Sequence, residues 1–360
     1  MNEMTKVSDA ISIPGAAQLA TQEDQSAYKG LLCEQWCDWH ELTMRDLKRP
    51  VLLPGQVRLA IHHAGVGFAL KLFVSGKYQR KPPLPFTPGT EAAGIVLEVG
   101  EGVTHIRVGQ RVAAALDWGA FAQEAVTTAA TVYPVPDALP LSIAAALPLT
   151  YGTTWAALNW RAQLQKREVL LVFGASGALG TAAVQIGRAL GAEVIAVAST
   201  ADKRAAALAH GAHHVLEADA ENLPQQIKTM TSGRGVDVVF DPVGGAFFDG
   251  ALRCTAAQGR ILTIGYASGS IPQIPANLLL VKNISVIGFN YGYFIGWGLT
   301  DERLRYADTV QAMMAMLFDA MASGRLEKPR IQPYAFDQWM EGVEATMNRR
   351  SVGKVILSMV

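Results

Sequence analysis

From residue 169 onward the chain alternates short runs of consecutive apolar residues with stretches whose apolar positions recur every three or four residues. The apolar runs are VLLVF (169–173), EVIAVA (193–198), HHVL (213–216), VDVVFD (236–241), RILTIG (260–265) and ISVIGF (284–289). Between the first two lies LGTAAVQIGRALGA, which places Leu179, Ala182, Ala183, Ile186, Ala189 and Leu190 on one helical face. Near-continuous apolar strands separated by such helices predict a parallel sheet covered on both faces. About six strands is the size of a doubly wound α/β fold.

Upstream the texture differs. From Tyr28 to Leu147, β-rich runs such as VRLAIHHAGV (57–66) and AAGIVLEVG (92–100) alternate with Pro54-Gly55, Pro82-Pro83, Pro88-Gly89 and Gly109. That pattern predicts a compact, mostly β unit. Beyond Asp301 the chain turns helical (LRYADTVQAMMAMLFDAMASG) and closes on a strand-like GKVILSMV. A final strand after helices suggests that the chain returns to the first unit. The expected division is a polar tail over 1–27, a β unit over 28–147, an α/β unit over 148–292 and a return over 293–360.

Composition then narrows the function. The chain has 360 residues, half of them hydrophobic and 17% charged, as expected of a packed globular protein. Its 31 basic and 31 acidic residues cancel, so neither nucleic acid nor a charged membrane surface is an expected partner. Cys33, Cys37 and Cys254 form no paired framework and supply no four-thiolate zinc site, which suits thiols in a reducing compartment. No run approaches the ~18 apolar residues of a membrane span. Residues 1–27 hold no apolar block behind a basic start, so a cytoplasmic location is expected.

The candidate chemistry lies just after the first apolar run. Ala175-Ser176-Gly177-Ala178-Leu179-Gly180 fits the dinucleotide fingerprint, with alanine in the first glycine position. There the first small residue makes a tight turn, Gly177 lets backbone N–H groups approach a pyrophosphate, and Gly180 lets the helix pack on the sheet. The helix opening near Leu179 would point its positive end at the phosphates. At the end of the second run, a carboxylate would take the ribose hydroxyl of NAD. This chain has Ser199 and Thr200 instead, with Lys203 and Arg204 just beyond. Hydroxyls and cations suit a 2′-phosphate, so the expected cofactor is NADPH.

Several stretches together carry a resemblance: LPFTPGTEAAGIVLEVGEGV (84–103), AAALPLTYGTTWAAL (144–158), FGASGALGTAAVQIGRALGA (173–192), GRGVDVVFDPVGG (233–245) and IPANLLLVKNISVIG (274–288). On these the chain resembles the zinc-independent, zeta-crystallin-like quinone oxidoreductase branch of the medium-chain dehydrogenase/reductase superfamily, from Tyr28 to Val360. The resemblance implies a GroES-like β domain built from both ends of the chain around a Rossmann domain, a site in the cleft, and a homodimer joined through the edge strand near 284–289. Where the family's alcohol dehydrogenases carry a zinc-binding His, this chain has Gly89-Thr90-Glu91, so no catalytic metal is expected. Adjacent His62 and His63 point to opposite faces of a strand and cannot chelate together.

Without a metal to polarise an alcohol, the implied reaction is hydride delivery to an electron-poor quinone or other α,β-unsaturated carbonyl. An enoyl or acrylyl thioester reductase is the alternative; it would want a basic rim, for which Lys71, Lys77, Arg80 and Lys81 are candidates. A non-catalytic NADPH-binding redox sensor is a third reading. By the same resemblance Tyr78 is the candidate catalytic residue, as hydrogen-bond or proton donor. Thr150 matches a residue near the nicotinamide ribose. Gly265 and Tyr266 follow the fifth strand beside the ribose, and Phe289, Asn290 and Tyr291 follow the sixth, where main chain holds the carboxamide. Arg350 matches a residue that reaches the phosphates. The aromatic residues of FNYGYFIGWGL (289–299) could line a pocket for a flat ring. The chain departs from the family at Gly67 and Leu70, where relatives carry Asn and Asp; a roomier, less polar pocket follows. Ala218 stands where some relatives place a tyrosine on the adenine.

Overall fold

A computed structural model describes residues 27–348 and 350–360. The expected tail falls, apart from Ala27, outside them. In chain order the strands are β1 (Ala27–Leu32), β2 (Thr43–Lys48), β3 (Gln56–Gly65), β4 (Glu91–Val99), β5 (Arg111–Ala115), β6 (Glu124–Thr128) and β7 (Val132–Pro134). They continue as β8 (Val169–Val172), β9 (Glu193–Ala198), β10 (His214–Glu217), β11 (Val236–Asp241), β12 (Thr255–Thr263), β13 (Ser285–Gly288), β14 (Ile331–Ala335) and β15 (Lys354–Ser358).

The six strands β8 to β13 form one all-parallel sheet in the order β10-β9-β8-β11-β12-β13. The alternation within β8 shows why both faces are covered. Leu170 and Val172 enter one apolar cluster, with Ala182, Ala183 and Ile186 of the helix Ala178–Ala189. Val169, Leu171 and Phe173 enter another, with Phe248 and Ile227. The chain enters in the middle, winds outward to β10 and then crosses back to β11 beside β8. Such a reversal opens a crevice at the carboxyl ends of β8 and β11, where ligands of this architecture bind.

The other large sheet has seven strands in the order β14-β15-β3-β4-β5-β7, with β6 paired to β3. It takes strands from both ends of the chain, β3 to β7 and the last two. β15 lies parallel to β14 and antiparallel to β3. Just before β15, Gly353 adopts φ +84°, and a Cβ there would come within 2.1 Å of the Arg330 carbonyl oxygen. Only glycine allows this entry, and Gly353 forms an isolated bridge with Gly177 of the other unit.

Candidate active site

The cofactor cradle assembles from consecutive residues. Phe173 N–H donates to the Phe240 carbonyl at 3.1 Å, Gly174 turns the chain at φ +59°, and Ala175 N–H donates to the Val197 carbonyl at 3.1 Å. Gly177 then opens the helix Ala178–Ala189, and no side chain caps it. Its first-turn N–H groups are therefore available to an anion, where the helix dipole favours one. Gly180 lies against the turn itself: a Cβ there would meet Gly174 O at 2.2 Å and Ala175 Cα at 2.6 Å. The structure thus brings Ala175, Ser176, Gly177, Ala178, Leu179 and Gly180 together as a cradle that a pyrophosphate fits.

At the end of β9, Ser199 and Thr200 are exposed and Lys203 is half-buried. Thr200 Oγ1 caps the helix Ala201–Ala209 by accepting from Lys203 N–H at 3.3 Å. Arg204 departs from expectation. Its Nη1 folds back onto the carbonyls of Ala198 and Ser199 at 3.3 and 3.4 Å, so that its charge sits against the strand end beside Lys203.

Across the crevice, buried Thr150 opens the helix Thr150–Trp155. Thr150, Ala178, Thr181, Arg330, Gly353 and Lys354 line one narrow recess. Lys354 forms an ion pair with Glu91; their side chains are 7% and 1% exposed. The second Glu91 oxygen accepts from Leu149 N–H at 3.2 Å. Sequence reasoning passed over this pair, although a lone Lys in the apolar run GKVIL was a signal for it. Arg350 is exposed, three residues before Gly353, with its N–H donated to the Ala345 carbonyl at 3.0 Å.

Gly265 and Tyr266 follow β12, and Tyr266 is 44% exposed. After β13, Phe289 N–H donates to the Thr263 carbonyl at 3.1 Å, and the Asn290 side chain accepts from Gly292 N–H at 2.9 Å. Tyr291 turns away: its ring packs on Gly152 and its buried hydroxyl lies against that of Tyr133, so its main chain is what it offers a ligand at the crevice. Phe289, Asn290, Tyr293 and Phe294 do line a cavity of about 540 Å³, together with Trp160 and Tyr306. At the end of β11, Asp241 Oδ1 accepts from the N–H groups of Val243 and Gly244, both at 2.8 Å, while the buried Oδ2 has no partner. Burial pushes this carboxyl above its ordinary value, against the pull of those two N–H groups.

Tyr78 lies in the segment between the helix Leu70–Val74 and β4. Its ring stacks on Phe73 with centroids 4.2 Å apart. Burial raises its pKa, outweighing the opposing effects of Gln79 and Arg80. The two departures from the family separate here. A Cβ on Gly67 would meet open space, whereas Leu70 is 6% exposed and packs into the core of the seven-stranded unit. Position 67 therefore has room for a side chain, whereas position 70 is part of the core. The basic rim is also reduced: Arg80 is bound to Asp117 at 2.7 Å and lies over Trp118, and Lys71 lies over the Phe68 ring. The Cys33 and Cys37 sulfurs are 3.8 Å apart as thiols. Among the described residues no group of three or more His, Cys, Asp or Glu could hold a metal. No helix among them is long and apolar enough to cross a membrane.

Comparison with known proteins agrees with this architecture. Residues 53–137 match the alcohol dehydrogenase GroES-like domain and residues 178–312 the zinc-binding dehydrogenase domain. A quinone oxidoreductase-like protein 2 homolog of Nematostella vectensis is 38% identical over 306 residues, covering 84% of this chain and 81% of the relative. Two solved structures, each covering 92% of this chain and 99% of their own, align closely: quinone oxidoreductase of Pseudomonas syringae (28% identity, TM-score 0.83) and that of Escherichia coli complexed with NADPH (28%, 0.81).

Proposed function

The chain belongs to the zinc-independent quinone oxidoreductase branch of the medium-chain dehydrogenase/reductase superfamily, and from that premise we propose that it reduces a quinone or other α,β-unsaturated carbonyl with NADPH. The observation that carries this reading is the uncapped helix start at Gly177, seated at the crevice between β8 and β11 and closed by Gly353. Bound there, NADPH would supply the hydride. The cradle 175–180 would hold its pyrophosphate, with Arg350 as a nearby cation. Ser199, Thr200 and Lys203 would take the 2′-phosphate. Thr150, Gly265, Tyr266 and the main chain of Phe289, Asn290 and Tyr291 would position the nicotinamide within the unit spanning 148–292. Tyr78 would hydrogen-bond the oxyanion that develops on the acceptor, or protonate it.

The donor set supports an acceptor that needs no Lewis acid, because Thr90 stands where a metal ligand would. With Arg80 paired to Asp117, the rim offers a coenzyme A thioester one cation fewer, which favours an uncharged acceptor. Self-association through β13 belongs to the same proposal. One side of this edge strand is unpaired, and Leu280 and Val281 just before it are 79% and 74% exposed, an arrangement that favours pairing with a second copy.

The test follows oxidation of NADPH, with NADH as control, against benzoquinone, phenanthrenequinone, a simple enone and crotonyl- and acrylyl-coenzyme A. Turnover of the quinones or the enone with preference for NADPH is expected. Turnover of thioesters alone would replace the acceptor class. NADPH binding without any turnover would leave the non-catalytic reading, with Gly67→Asn as the first restoration to try.

A further inference from the structure

Asp117 stands two residues beyond β5, and its carboxylate collects three donor side chains from two distant stretches. Arg80 Nη1 reaches it at 2.7 Å, Trp297 Nε1 at 2.9 Å, and Arg303 Nη2 at 3.0 and 3.2 Å. Arg303 is held in turn by Asp301 at 2.8 Å, so two guanidinium groups meet two carboxylates. The arginines are nearly enclosed, with side chains 14% and 9% exposed.

Apart from the stack of the Tyr78 ring on Phe73, the segment that Arg80 anchors is held by backbone hydrogen bonds only at its two ends. Lys77 and Tyr78 both donate their N–H groups to the Leu72 carbonyl at 2.9 Å, and the next backbone hydrogen bond among the described residues is that of Phe86 with Cys33. Between them lie Pro82, Pro83 and Pro85, which have no N–H to give. Trp297 and Arg303, on the far side, belong to the stretch that follows β13 and Phe289–Tyr291.

We propose that Asp117 is a positioning residue: its carboxylate latches the segment carrying Tyr78 onto the stretch that follows the last parallel strand, fixing the height of the Tyr78 hydroxyl over the cleft. Charge-assisted bonds from two arginines give the latch both strength and direction. Burial pushes Asp117 up, but the Arg80 hydrogen bond and the charges of Arg303 and Arg80 prevail and hold the carboxyl below its ordinary value. The latch is therefore ionised throughout the neutral range.

The kinetic half of the test rests on the reading of Tyr78 given above; the other half does not. Trypsin can cut after Arg80 only when that side chain leaves Asp117. In folded Asp117→Ala, cleavage at Arg80 should accelerate by about tenfold or more, a local opening beneath global unfolding. The turnover number with a quinone should fall about 10- to 100-fold at unchanged NADPH affinity, and Asp117→Glu should reverse part of both changes. Asp117→Asn, which keeps the shape, replaces the alanine variant if that one fails to fold. Unchanged cleavage in a folded variant would overturn the latch. Faster cleavage at an unaltered turnover number would overturn the positioning role. A wild-type protein that reduces none of the acceptors would count against the proposed reaction while the cleavage rates still decide the latch.

Discussion

Three side chains carry distinct consequences. Asp241 is a carboxyl with a raised pKa, so the folded protein holds its proton more tightly than the unfolded chain does. The stability it contributes is present below the ordinary carboxyl value of 3.8 and is lost as pH rises through the shifted one. Asp241→Asn keeps an acceptor for Val243 and Gly244 without the buried charge. Its melting temperature should exceed that of wild type at neutral pH, with the difference closing on acidification; a constant difference across pH would refute the assignment. Tyr78 has a pKa raised above 10.0, so its phenol stays protonated through neutral pH. If it serves the oxyanion, turnover should be flat across neutral pH and decline only on the alkaline side, above the ordinary tyrosine value. Tyr78→Phe, which keeps the stack on Phe73, should lower turnover by about a hundredfold and abolish that decline. An intact turnover number would reject the role. Lys203 lies beside Ser199 and Thr200, with Arg204 donating to the strand-end carbonyls. Lys203→Glu should weaken NADPH by roughly 1.5–3 kcal/mol and NADH little, measured by fluorescence titration. Equal losses for the two cofactors would remove Lys203 from the 2′-phosphate site.

At the scale of elements, the ion pair between Glu91 and Lys354 fastens the start of β4 to the start of β15. Both partners are buried, so removing one strands the other's charge. Lys354→Met should cost about 3–5 kcal/mol in urea unfolding, and the double variant with Glu91→Gln should regain most of it. Additive losses would show that the two side chains do not act as a pair. The same pair marks the limit of what the chain reveals before it folds. Residues 193–198 and 236–241 are strands over just those bounds, because a strand buried on both faces is apolar along most of its length. β12 begins five residues before its apolar run, at Thr255, where Gln258 at φ +62° and a register shift against β11 break any periodicity. The cradle at 175–180 was legible since its chemistry is contiguous. Glu91 with Lys354, and Asp117 with Arg303 186 residues away, were not, because only the folded topology makes them neighbours.

At the scale of the molecule, the cofactor crevice is where the two large sheets are joined. Gly177 at the head of the Ala178–Ala189 helix bridges to Gly353 before β15, and the Asp117 cluster joins the turn after β5 to the stretch after β13. A nicotinamide cofactor bound in that crevice would touch elements of both units and should stabilise them together. The net charge of zero gives no long-range attraction for an anionic dinucleotide, so selectivity must come from short-range contacts at Lys203 and its neighbours. At about 100 times its dissociation constant, NADPH should add ~2.7 kcal/mol to the free energy of unfolding. For a chain of this length, with an unfolding entropy near 2.1 cal/mol/K per residue, that corresponds to a rise of about 3–4 °C in melting temperature. Calorimetry should show the whole transition moving, and NADH at the same concentration should move it less. A shift confined to one of two resolved transitions would mean that the crevice does not couple the sheets, and equal shifts with NADH would reverse the assignment of the cofactor.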